Sequence, residues 1–242
     1  AYPLWAAMDF HSQVELVHGV PSFLANEIQS GRLDAALISS VEYLRHPQGF
    51  VYHDALCIAA TRESKSIRLF LPDTALPFAT ALNKLHTILT DISSRSSVAQ
   101  LSVILEHLAI SPRLEEVTDA TDRVAVLRGG EALLTIGDTA LAHINEPSYD
   151  LQQEYFHLFQ RGFVYALWVM REDKRAALEP ILAAAYQQYN EDIPRYLKLA
   201  AERFGFSPGF TQTYLTETIQ HVLSPERKAD LQFFAGKLKS LP

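Results

Sequence analysis

Short, uniformly apolar runs alternate with stripes of helical period along most of this chain, and the last third is almost wholly of the striped kind. The runs at 34–40 (DAALISS), 55–60 (ALCIAA), 86–90 (HTILT), 132–136 (ALLTI) and 163–170 (FVYALWVM) predict buried strands. Residues 66–71 (SIRLFL) alternate polar and apolar positions before Pro72 and Asp73 stop them. The stripe Val20, Phe23, Leu24 and Ile28 predicts a helix, with Pro21 in its first turn and Gly31 at its exit. A longer stripe, Val98, Leu101, Ile104, Leu105 and Leu108, ends ahead of Pro112. Further helices are expected at PLWAAMDF (entered at Pro3), 75–84, 121–127, 139–143, 176–188, 195–204 and 211–222. The last helix, 225–238, carries Ser224 as N-cap and Pro225 behind it.

Strands alternating with helices predict parallel α/β layers. Two such clusters, 1–72 and 86–141, are followed by a helical tail that needs a sheet to cover. The apolar run 163–170 can return the chain to the first cluster. The expected organisation is therefore two lobes with a ligand cleft between them. Residues 1–73 form the first part of lobe 1, residues 74–160 form lobe 2, and residues 161–242 supply a return strand and helices to lobe 1.

Composition narrows the class. Of 242 residues, 48% are hydrophobic and 20% charged, which is ample for packed cores. The formal charge of −7 leaves no electrostatic footprint for nucleic acid, and no basic run of membrane-docking type occurs. An anionic ligand would have to be held by local donors against the overall field. The single cysteine, Cys57, lies in the apolar LCIAA run, so a core role in a reducing, cytoplasmic compartment is expected. No apolar stretch approaches a membrane span, and no secretory leader pattern opens the chain.

Candidate chemistry gathers at strand ends. Residues 90–97 (TDISSRSS) join a strand to an amphipathic helix and place Ser94, Ser96 and Ser97 where free N–H groups and the positive helix end converge. Such a start suits a carboxylate or phosphate; plain N-capping by serine is the alternative. Ser39 and Ser40 close the run DAALI, with Glu42 and Tyr43 directly after, either facing a ligand or closing a turn. Gly137 and Asp138 follow ALLTI, where Asp138 reads as an N-cap for TALAHI. Ser66 opens SIRLFL and, taken alone, reads as a solvated strand position. The nine histidines show no metal-ligand spacing, and no GxSxG, P-loop or GxGxxG pattern is present. A serine hydrolase, a P-loop nucleotide hydrolase and a Rossmann dehydrogenase are thus disfavoured.

Read in order, these pieces resemble the chorismate dehydratases of the futalosine route to menaquinone. AYPLW looks like the segment after that family's first strand, and GRLDAALISSVEY (31–43) is similar to its LD-x-ALISS-x-EY strand. KSIRLF (65–70) resembles its K-S-V-x-L-F strand, and SRSSV (94–98) its S-R-T-S-V helix start. LLTIGDTAL (133–141), YDL (149–151) and FVYALW (163–168) resemble its IGDAAL, YDL and FVFAVW segments. The resemblance covers most of residues 1–170 and implies the type II periplasmic-binding-protein fold, used by an intracellular enzyme.

It also implies that Ser39, Ser66, Ser96 and Ser97 line the cleft and hold the ligand's carboxylates; Ser40, Arg95 and Gly137 beside them complete the expected substrate-binding set, and Glu42 and Asp138 are candidate bases by position. The implied ligand is a chorismate-like dicarboxylate, and the implied reaction is its dehydration to 3-[(1-carboxyvinyl)oxy]benzoate by a lyase that needs no cofactor or metal. The rival readings are the related 1,4-dihydroxy-6-naphthoate synthase and a non-catalytic binder of small carboxylic acids. Three features depart from the family pattern. Its first strand and asparagine have no counterpart in this chain. Gln152 stands in place of a glycine after DL, and residues 159–162 (FQRG) stand in place of T-G-L-P.

Overall fold

The computed structural model describes residues 1–8, 14–72, 74–92, 95–118 and 127–239. Ser94 and residues 121–126 of the expected helix at 121–127 lie outside that set. In chain order the strands are β1 (Ala35–Ser39), β2 (Phe50–Ala60), β3 (Ile67–Phe70), β4 (Thr87–Asp91), β5 (Arg113–Val117), β6 (Glu131–Ile136), β7 (Ser148–Asp150), β8 (Phe163–Arg171) and β9 (Gln220–Val222). The α-helices are α1 (Pro21–Gln29), α2 (Ser40–Arg45), α3 (Phe78–Leu82), α4 (Arg95–Leu108), α5 (Gly137–Ala142), α6 (Leu151–Phe159), α7 (Arg175–Glu191), α8 (Ile193–Phe204), α9 (Pro208–Thr213) and α10 (Pro225–Leu238).

Two compact units result. One comprises Ala1–Ala59 with Val164–Lys228, the other Ala60–Phe163 with Ala229–Pro242. The first is built on a four-stranded sheet in the order β1-β8-β2-β9, in which β1 pairs antiparallel with β8, Ser39 opposite Ala166. Its core joins Trp168 and Met170 of β8 to Leu182, Tyr189 and Tyr196 of α7 and α8. The helices start and stop on local signals. Pro21 occupies the first turn of α1, the Asp192 carboxylate accepts from the Arg195 N–H at the start of α8, and Gly205 ends α8 at φ 71°. Cys57 is buried here, and burial pushes its thiol up to about 12, which makes it an inert core residue.

The second unit carries a five-stranded sheet in the order β5-β4-β6-β3-β7. Strand β4 runs parallel to β5 and β6, whereas β3 runs antiparallel to β6 and β7. The second sheet is therefore mixed, and β1–β8 and β2–β9 of the first are antiparallel, in place of the parallel layers that alternation alone predicts. The unit also takes in β3, because its backbone partners are β6 and β7. The chain from Ala229 onward groups with it too, since Phe234 packs on Phe163 with ring centroids 4.5 Å apart and Phe233 on Phe159 at 5.8 Å. The sequence reading placed both segments in the other lobe.

Four local expectations change. The opening helix is a 3-10 turn, Tyr2–Leu4. Residues 211–222 are not one helix: α9 passes into a π turn, Tyr214–Thr218, and then into strand β9. Strands β5 and β7 carry no apolar run, because most of their residues are exposed or half-buried. Ser40 begins a helix and does not end a strand.

Candidate functional site

Sheet register brings five of the expected residues to one edge of the second unit. Strands β4 and β6 are parallel with Thr90 opposite Leu134, and β3 is antiparallel to β6 with Ile67 opposite Ile136. The carboxyl ends of β4 and β6 and the amino end of β3 therefore share an edge, where α/β sheets present their ligand sites. Ser66 precedes β3, Gly137 follows β6, and α4 opens with Arg95, Ser96 and Ser97 just after β4. The Gly137 N–H donates to the Ser66 carbonyl at 2.8 Å, which ties two of these points together. Gly137 adopts φ 60°, a left-handed conformation that favours glycine at this strand-to-helix step.

Ser96 and Ser97 are buried in the first turn of the fourteen-residue α4, 6% and 3% exposed, whereas Arg95 is exposed. The first-turn N–H groups of a helix lack intrahelical partners and carry the positive end of the macrodipole. Two hydroxyls and a set of amide donors at one point are chemically suited to a carboxylate. Ser66 is also buried, its hydroxyl 3.3 Å from the Ser64 carbonyl. It is therefore not the solvated strand position that the sequence alone indicates.

Asp150, whose role the sequence reading missed, holds this edge in shape. Its carboxylate accepts from the Lys65 N–H at 2.6 Å, from the Ser64 N–H, and from the Gln152 and Gln153 N–H groups at the start of α6. One side chain thus caps a helix and clamps the turn that delivers Ser66. Lys65 sits at φ 60° within that turn. Burial raises the Asp150 carboxyl above the usual range, and the backbone donors from Lys65, Gln153 and Ser64 pull the other way. An aspartate directly before a helix start was the available signal.

Gln152, the departure from the family pattern, is fully buried. Its amide donates to the Thr61 carbonyl at 2.6 Å and the Arg161 carbonyl at 3.2 Å, and its oxygen accepts from Gln100 of α4 at 2.8 Å. It thereby ties α6 and α4 to both chain segments at the boundary of this unit. Gln152→Leu should lower stability by roughly 2–3 kcal/mol, because several buried polar groups lose a partner at once. The urea midpoint should fall with an unchanged m-value; a midpoint equal to the parent's would show the network to be dispensable.

The remaining expected residues lie elsewhere. Ser39 ends β1 in the first unit, and the buried Ser40 hydroxyl donates to the Val164 carbonyl at 2.6 Å, so its proton serves the sheet. Glu42 is buried on α2 of that unit. Asp138 is exposed within the first turn of α5, where the N-cap position belongs to Ile136, so the expected capping role is not observed. Glu42 and Asp138 thus belong to different units and form no carboxylate pair within either.

Comparison with known proteins accords with this architecture. A chorismate dehydratase from Thermus thermophilus is 25% identical over 92% of this chain and 86% of its own length. Among solved structures, the Archaeoglobus fulgidus protein AF1704 is similar with TM-score 0.68 at 11% identity, covering 99% of this chain and 92% of that one. The Escherichia coli aliphatic sulphonate binding protein SsuA is similar with TM-score 0.65 at 14% identity, over 97% of this chain and 81% of that one. A Candida albicans protein with the generic periplasmic binding protein fold matches at TM-score 0.65 and 14% identity, over 98% and 85%. These structural likenesses establish the fold as that of the periplasmic binding proteins. A family model described as menaquinone biosynthesis spans residues 1–240, and the chain belongs to that family.

Proposed function

We propose that this protein is a chorismate dehydratase, a hydro-lyase that removes water from chorismate to give 3-[(1-carboxyvinyl)oxy]benzoate. The similarity to a dehydratase over 92% of the chain carries this reading. The ring proton beside the enolpyruvyl ether and the neighbouring hydroxyl leave together as water. The ring becomes aromatic with no change that calls for an external electron acceptor. Chemistry of this kind depends on holding a dianion in one orientation and on donors aimed at developing negative charge. Ser96 and Ser97, with the amide donors of α4 behind them, are assigned to one substrate carboxylate, and Ser66 and the Gly137 turn to its immediate surroundings. Ser39 is carried by the family resemblance, and Ser40 and Arg95 by their places beside Ser39 and Ser96.

The substrate's own side-chain carboxylate and Glu42 or Asp138 are the groups proposed to take the ring proton. The test is incubation of chorismate with the purified protein, without added metal or nucleotide, followed by chromatography with mass detection. A product lighter by one water, with aromatic absorbance, is expected. Chorismate bound but recovered unchanged would favour the non-catalytic binder instead.

A further inference from the structure

The two elements that carry serines to the edge of the second unit are anchored at one place, the first turn of α6. Asp150, the N-cap of that helix, holds the Ser64–Lys65 turn through its backbone N–H groups, and the turn delivers Ser66. Gln152, in the same turn of α6, accepts at Oε1 from Gln100 Nε2 of α4 at 2.8 Å. Gln100 follows Ser96 by four residues, so the two lie on one face of α4, a turn apart. The segment that places Ser66 and the helix that places Ser96 thus meet at residues 150–152.

A side-chain amide can fix a position only if it cannot turn over. Gln152 Nε2 donates to the Thr61 carbonyl at 2.6 Å and to the Arg161 carbonyl at 3.2 Å. Both of its hydrogens are engaged by acceptors, so Nε2 and Oε1 cannot exchange places, and Oε1 stays aimed at Gln100. Gln100 and Gln152 are fully buried, which strengthens these bonds and keeps water from replacing them. The apolar stripe of α4, with Leu101, Ile104 and Leu105 buried, holds the helix against the unit but has no preferred direction. The bond at Gln100 supplies one. It acts a single turn from the hydroxyls whose placement matters, and ligand-holding groups must stand within about 0.5 Å of their productive positions.

We propose that Gln100 and Gln152 are positioning residues of the substrate site: they set the separation between Ser66 and the Ser96–Ser97 pair, and with it the spacing of polar groups that a ligand must present. This role rests on the proposed assignment of Ser96 and Ser97 to a substrate carboxylate.

A double-mutant cycle, read by calorimetry with chorismate, tests it. Gln100→Met, close to the parent in length and volume, should bind chorismate about tenfold more weakly. In a protein already carrying Ser96→Ala, the same substitution should cost only about twofold, because the hydroxyl it would misplace is gone. A general loss of stability would act alike in both backgrounds. Equal losses in the two, or no loss in the first, would overturn the proposal. Hydrogen exchange of the ligand-free protein gives a second readout. In Gln100→Met the Leu101 and Ser102 amides, near the start of α4, should exchange about tenfold faster, while those of Leu105 and Leu108 keep the parent's rates. Gln152→Met, which removes the acceptor from the other side, should give the same pattern. A parent that binds no chorismate would sink the dehydratase reading and leave the exchange pattern to decide the positioning role. Protection unchanged along α4, or lost evenly along it, would show that the two amides do not hold the helix start.

Discussion

Acidification from pH 7 to pH 3 should cost the native state on the order of 4 kcal/mol through His221 alone. Its imidazole, buried in strand β9 of the first unit, is pushed down to about 3, with desolvation as the leading cause. In the unfolded chain the same group takes up its proton near the ordinary histidine value of about 6.5. Between these two values the unfolded state binds more protons than the native state, so stability falls as the pH falls. Above pH 6.5 neither state is protonated and the contribution is flat. His53, lowered by burial and partly held up by the Glu179 carbonyl, adds in the same direction.

The raised Asp150 carboxyl works oppositely: its native state accepts a proton first, so it favours the folded form as acid is added. Comparison of urea unfolding for parent and His221→Phe across pH 7 to 3 isolates the histidine. The parent should lose stability at up to ~1.4 kcal/mol per pH unit more steeply than the variant. Parallel curves would mean that His221 titrates normally and that the buried environment does not hold it neutral.

The double substitution Ser96→Ala with Ser97→Ala should weaken chorismate binding on the order of a hundredfold, on the proposed assignment of these residues. A hydrogen bond to a charged group contributes about 1.5–3 kcal/mol. Two lost hydroxyl donors would therefore exceed a hundredfold if nothing compensated, but the helix amides and dipole remain and retain part of the affinity. The fold should persist, since α4 is held by Leu101, Ile104 and Leu105, all buried and well inside the helix. The variant should keep its thermal midpoint within a few degrees. Calorimetry decides the matter: unchanged affinity in the double variant removes Ser96 and Ser97 from the site. Ser96→Thr, which keeps the hydroxyl, should bind nearly as the parent does, so a large loss there would point to steric crowding in place of a missing donor.

What the sequence determines by itself is local and periodic. The strand at 163–171 buries both faces and so appears as a long apolar run, and those at 35–39 and 87–91 show shorter apolar stretches at their buried positions. Helices α1, α4 and α8 bury one stripe each and end on proline or glycine signals that act within a few residues. The serine-rich start of α4 is equally legible, because a helix terminus and its hydroxyls are neighbours in the chain.

Strands β5, β7 and β9 escape that reading, since most of their residues stay exposed or half-buried and so need no continuous apolar run. Only the tertiary structure decided that β3 runs antiparallel in the second sheet, which sets Ser66 beside Gly137, 71 residues away in the chain. It alone turned Asp150 into the clamp of the Ser64–Lys65 turn and Gln152 into the tie between Gln100, Thr61 and Arg161. Hydrogen bonds across such separations leave no periodic trace, because a buried polar residue and a solvated one are the same letter until the fold removes the water around it.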